Sequence, residues 1–72
     1  MRLRELRTER NLTQLRLAME LNTTQNTISR YETGEREPGI SELISLAEYF
    51  SVSVDYLIGL TDERKPYPRS RK

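Results

Sequence analysis

The chain of 72 residues contains no cysteine and no histidine. Without cysteine there is no disulfide, no thiolate zinc site and no sulfur nucleophile, and without histidine there is no Ser-His-Asp triad. Catalysis would rest on scattered carboxylates in a chain too small to enclose much of a pocket, so neither an enzyme nor a cofactor or metal is expected. Long apolar runs are also missing. The longest fall well short of the roughly 18 residues that a membrane span requires, and no apolar signal segment follows Met1. A disulfide-free chain fits a reducing compartment, and the expectation is a soluble cytoplasmic protein.

A strong excess of charge is absent too, since the formal balance is only +1. Its distribution is more telling than its sum. Residues 1–16 carry five arginines against Glu5 and Glu9, a balance of +3, and residues 61–72 carry five Lys/Arg against Asp62 and Glu63, again +3. Residues 17–40 and 41–60 balance at −2 and −3. Taken alone, such segregation is ordinary solvated surface.

Glycine and proline number only three each, and Gly34, Pro38 and Gly59 fall where helices should break. A chain of this length buries only about 60% of the surface that its unfolded form exposes, so its core must be compact and mostly local. The apolar spacing predicts five helices. The first runs from about Arg2 to Arg10 with Leu3 and Leu6 inward, and Asn11, a residue that accepts left-handed backbone, closes it. Leu12 then packs, Thr13 caps a second helix over Gln14 to Leu21, and a third follows from about Gln25 to Glu32.

Leu17, Ala18 and Leu21 share one face of helix 2, and Thr24, Ile28 and Tyr31 form the inward arc of helix 3. Asn22-Thr23-Thr24 makes the tight break between them, with Thr24 as the next cap. That is the spacing of a helix-turn-helix. The segment from Thr33 to Gly39 is a loop, because Gly34 frees the backbone and Pro38 cannot continue a helix. Ser41 is the expected cap of helix 4, which turns Leu43, Leu46, Ala47 and Phe50 inward. Val52 bridges to Ser53, the cap of a short helix 5 that presents Val54, Leu57 and Ile58 and ends at Gly59. Residues 61–72, with two prolines and seven charges, are expected to be a flexible tail or linker beyond a domain of residues 1–60.

Several of these pieces stand at fixed mutual distances: Leu12-Thr13-Gln14, Leu17-Ala18, Thr27-Ile28-Ser29-Arg30-Tyr31-Glu32, Thr33-Gly34 with Arg36-Glu37-Pro38, and Val52-Ser53-Val54-Asp55-Tyr56-Leu57. Together they resemble the phage-repressor and Cro-type helix-turn-helix domains, the lambda-repressor-like family, over roughly Leu3 to Leu60. The resemblance implies an all-α, five-helix DNA-binding domain. Two departures stand out. Asn22 and Thr23 replace the family's usual Gly and aliphatic residue, removing part of a methyl cluster. Leu15 and Met19 occupy helix 2 positions that are usually polar, either as isolated exposed apolar residues or as a contact surface.

Helix 3 leaves Thr24, Gln25, Asn26, Ser29 and Arg30 as candidates for reading bases. Gln and Asn pair a donor and an acceptor with adenine, and Arg donates twice to guanine. In a helix-turn-helix the N-terminal end of this helix approaches the bases, which favours Gln25 and Asn26. The resemblance places Gln14 on a DNA phosphate, and the free amides at Thr13 and Gln14 agree with it. Arg36 and Arg10 are further phosphate candidates. The resemblance also pairs Arg7 with Glu32, tying helix 1 to the end of helix 3.

The expected function is sequence-specific binding of double-stranded DNA by a transcriptional regulator, with repression as the expected direction. One helix reads few base pairs, so a homodimer on a palindromic operator is expected, with reading helices about 34 Å apart. Ile58, Leu60 and Tyr56 are candidates for its interface, or equally for the core. The alternative is an antitoxin-like or other protein-interaction module that uses Leu15 and Met19.

Overall fold

The computed structural model describes residues 1–66 and 68. Five helices follow one another: α1 (Leu3–Glu9), α2 (Gln14–Glu20), α3 (Gln25–Thr33), α4 (Ile40–Phe50) and α5 (Val54–Ile58). The architecture is the all-α, five-helix one expected, with helix ends moved by one or two residues, and no strand occurs among the described residues.

Local chemistry sets most of the breaks. Thr13, Thr24 and Ser53 hold extended backbone, and their hydroxyls accept hydrogen bonds from the amides of Arg16, Thr27 and Tyr56, three residues on. Each such cap is worth about 1 kcal/mol over alanine. Asn11 and Asn22 take φ values of 57° and 61°, the left-handed region that asparagine tolerates. Gly34, at φ 84°, ends α3 without the penalty that a Cβ brings there.

Two helix boundaries differ from expectation. Ser41 does not cap α4: Gly39 holds the extended cap position, its carbonyl accepts from the Leu43 amide at 2.9 Å, and the Ser41 hydroxyl turns to Glu42 instead. Ile40 is thereby drawn into the helix although its side chain is 78% exposed. At the other end Ser51 adopts φ 56°, a left-handed close with no asparagine or glycine to announce it.

The core gathers Leu3 and Leu6 from α1, Leu17 and Ala18 from α2, Ile28 and Tyr31 from α3, and Leu46, Ala47 and Phe50 from α4, closed by Val52, Tyr56 and Leu57. Burying a leucine or phenylalanine contributes roughly 1.5–3 kcal/mol, which makes this small cluster the main favourable contribution to folding. Thr24, expected on the inward arc, is exposed, because its backbone is still extended ahead of the first turn. Tyr56, a candidate for an interface between copies, belongs to the core at 4% exposure, whereas Ile58 and Leu60 are exposed.

The packed chain also runs past Leu60. The Ser53 amide donates to the Arg64 carbonyl at 2.9 Å and the Ser53 hydroxyl to the Glu63 carbonyl at 3.3 Å. The Arg64 guanidinium donates to the Tyr56 hydroxyl and pairs with Glu9 on α1, while Arg2 pairs with Asp62. Arg2 and Arg64 both lie on the Tyr56 ring, at 4.3 and 5.1 Å from its centroid. Residues 61–64 therefore form a strap joining α5 to α1, directly after the boundary expected at Leu60. Tyr67, Arg69, Arg71 and Lys72, expected in the tail, lie outside the described residues.

Candidate nucleic-acid interface

Helices α2 and α3 pack tightly through Leu17, Ala18 and Ile28, all essentially inaccessible. The same packing turns the opposite side of α3 to solvent. Gln25, Asn26 and Arg30 are exposed there, and Ser29 is half-buried beside them. Thr24 is exposed but its hydroxyl is engaged twice, by the Thr27 amide and by the Thr27 hydroxyl. Arg30 stands near the end of α3, one turn beyond Asn26.

The far end of α3 is pinned by Glu32, whose side chain is fully buried although the residue lies at the surface. Arg7 grips its carboxylate with two bonds, Nε to Oε2 at 2.6 Å and Nη2 to Oε1 at 3.1 Å, and its Nη1 donates to the Leu12 carbonyl at 2.7 Å. The fork of the guanidinium matches a carboxylate in this way, and no lysine reproduces both contacts. Burial pushes the Glu32 carboxyl up, but hydrogen bonds from Arg7 and Gln14 and the charge of Arg7 outweigh it and hold the group below its ordinary value. The Arg7 guanidinium is in turn pushed up, chiefly by its bond to Glu32.

Gln14 belongs to the same cluster. Its Nε2 donates to Glu32 Oε1 at 3.0 Å, which fixes the carboxamide at the start of α2 and leaves that nitrogen one further hydrogen to donate. Thr13, just before it, is exposed with its hydroxyl committed to the Arg16 amide. Arg4, not singled out by sequence, reaches Glu32 Oε1 with its Nε at 3.4 Å. The available signal was the three-residue spacing of Arg4 and Arg7, which sets both on one face of α1.

Arg36 is exposed in the loop after α3, flanked by the exposed Glu35 and Glu37. Its amide donates to the Arg30 carbonyl at 3.3 Å, so the loop is tied to the end of α3. Arg10 is engaged by the body of the domain. Its guanidinium lies 5.1 Å from the Phe50 ring centroid and donates to the Tyr49 carbonyl at 3.1 Å, leaving only its remaining N–H groups for a phosphate. Leu15 and Met19 are 52% and 66% exposed on α2.

Beneath the turn lies a cleft of about 190 Å³ bounded by Leu21, Thr23, Ile28, Tyr31, Ser41, Glu42, Ser45 and Leu46. Thr23, in the turn, forms part of its wall. Among the described residues no helix is long and apolar enough to cross a membrane.

The helix-turn-helix family model matches residues 3–57, which takes in all of α1 to α4 and most of α5. An uncharacterized HTH-type transcriptional regulator of Bacillus subtilis, YobD, is 38% identical over 65 residues, covering 90% of this chain and 58% of the relative. The HTH-type transcriptional activator BcrR of Enterococcus faecalis is 39% identical over 57 residues, 79% of this chain and 28% of its own length. The HTH-type transcriptional regulator ImmR of Bacillus subtilis is 38% identical over 64 residues, 89% of this chain and 50% of its own. The chain thus spans at most 58% of the length of these three relatives. No solved structure matches it significantly. With a turn closed by Asn22, an α3 capped by Thr24 and a family match across the five helices, the chain belongs to the Cro and phage-repressor type of the helix-turn-helix family.

Proposed function

We propose that the chain is a sequence-specific, double-stranded DNA-binding transcriptional regulator that lays α3 in the major groove. The observation that carries this reading is the exposed side of α3, where Gln25 and Asn26 open the helix while Ile28, Tyr31 and Glu32 fix it to the body. Side-chain amides at the N-terminal end of such a helix suit adenine edges, and Arg30 suits guanine. Thr24 and Ser29 flank them, Thr24 through its methyl because its hydroxyl is engaged.

Gln14, Thr13, Arg36 and Arg10 serve as backbone contacts in this reading. They fix register without reading sequence, and the charged ones make affinity depend on salt. Arg10 is the weakest of them, because it is already tied to Tyr49. Arg7 and Glu32 set the angle of α3 and are not readers.

One α3 covers too few base pairs for useful discrimination, so the proposed form on DNA is a homodimer on a palindromic site, with half-sites about 34 Å apart. Ile58 and Leu60, at 39% and 75% exposure, are its proposed contacts. Repression is the proposed direction, since a domain bound across a promoter excludes polymerase by its volume alone. Regulators of this family are generally non-enzymatic, and a cytoplasmic location goes with the proposed role.

Selection from a random duplex pool tests the reading. The expected result is an enriched palindrome with half-sites one helical turn apart. Recovery of unenriched sequence, with a protein partner co-purifying through Leu15 and Met19, would favour the interaction-module alternative.

A further inference from the structure

The Glu32 cluster holds more positive charge than its carboxylate neutralises. Arg4, Arg7 and Gln14 all converge on one oxygen, Oε1, at 3.4, 3.1 and 3.0 Å. Two guanidiniums and one carboxylate leave the cluster with a net positive charge. A carboxylate oxygen has two lone pairs, and here the two shorter bonds from Arg7 and Gln14 occupy them. Arg4 makes the third and longest, and it is the exposed member, its side chain 64% accessible against 13% for Arg7. Its terminal nitrogens have no hydrogen-bond partner among the described residues.

From this geometry we infer that Arg4, together with Gln14, forms a subsite for a backbone phosphate of DNA. The inference rests on the DNA-binding reading above. Arg4 Nε and Gln14 Nε2 donate to the same atom, so they are separated by two hydrogen-bond lengths at most. One phosphate accepting through two oxygens bridges such a span. Gln14 Nε2 keeps one hydrogen for it while holding Glu32 with the other, and Arg4 offers its terminal Nη groups while its Nε stays on Glu32. Glu32 stays satisfied by Arg7 throughout. Arg4 is in this account a charged anchor that reads no base, and the buried carboxylate positions both donors without meeting the DNA.

The experiment is a salt titration of binding to the pool-selected duplex and to a random duplex of equal length, for the intact chain and for Arg4→Ala and Arg4→Lys. Arg4→Ala should lower the slope of log K against log salt by about 0.9, and should weaken both duplexes equally, by roughly fivefold at about 0.15 M salt. Its melting midpoint should stay within about 3 °C of the wild type, because Arg7 and Gln14 still hold Glu32. Arg4→Lys should recover most of the slope. If Arg4→Ala does not fold, Arg4→Gln, uncharged but still polar beside Glu32, takes the same slope measurement. An unchanged slope in a variant of a DNA-binding wild type overturns the Arg4 assignment alone, as does a loss confined to the selected duplex. Absence of binding by the wild type to either duplex overturns the assignment together with the reading on which it rests.

Discussion

Replacing Arg7 by alanine should be among the most damaging single changes in this domain, although the residue lies at the edge of the core. The substitution removes three hydrogen bonds, two from the Glu32 carboxylate and one from the Leu12 carbonyl. Stranding one member of a buried pair costs about 3–5 kcal/mol. Gln14 and Arg4 remain on Glu32, which places the expected loss at the lower end, about 3 kcal/mol. Domains of this size have a total stability of about 4–11 kcal/mol, so the loss is a large fraction of it. At about 4–8 °C per kcal/mol the melting midpoint should fall by about 12–24 °C.

The loss should also depend on pH in a defined direction. Glu32 is held below the ordinary carboxyl value of 4.5, and such a group contributes stability that is fully present above its unfolded pKa and lost as pH falls through its folded one. Without Arg7, burial dominates and the carboxyl moves up. The gap between wild type and variant is therefore widest near neutral pH and narrows as both carboxyls become protonated. Urea denaturation followed by helical circular dichroism at several pH values measures both quantities. A loss below about 1 kcal/mol at neutral pH, or a gap that does not narrow on acidification, would refute the reasoning.

Two further stability effects follow from the strap and from the turn. A chain ending at Leu60 loses the Ser53 bonds to the Glu63 and Arg64 carbonyls as well as the Arg64 contacts with Tyr56 and Glu9. At about 1 kcal/mol per bond from Ser53, it should be less stable by about 2 kcal/mol, and an unchanged thermal midpoint would leave the domain boundary at Leu60. Thr23→Val places a methyl beside the cleft under the turn, which should add about 0.5 kcal/mol and raise the midpoint by a few degrees. A lower midpoint would mean that the Thr23 hydroxyl is needed where it is.

Much of the helix order was legible in the sequence because it depends on local rules, whereas the Arg7–Glu32 half of the cluster was implied only by the family resemblance. Threonine and serine caps, left-handed asparagines and i, i+3, i+4 apolar spacing act within a few residues, and Thr13, Asn22, Thr24, Ser53 and the core leucines follow them. What escaped is non-local or locally ambiguous. Ser41 had the composition of a cap, yet the backbone at Gly39 already supplied the needed conformation two residues earlier than the hydroxyl. The strap unites Glu9, Tyr56 and Arg64, residues far apart in sequence, and its charges looked like those of a solvated tail. Gln14 and Arg4 both meet Glu32 only because three helices converge there, and the family resemblance pointed to Arg7 alone.

The central claim is that the exposed amides at the start of α3 read bases. Binding of wild type and Gln25→Ala to the selected duplex and to random duplex, at one fixed salt concentration, tests it most directly. The account predicts that the variant loses about 1–3 kcal/mol on the selected site and almost nothing on random DNA, so that specificity falls while non-specific affinity persists. Equal loss on both duplexes, or none on either, would contradict it.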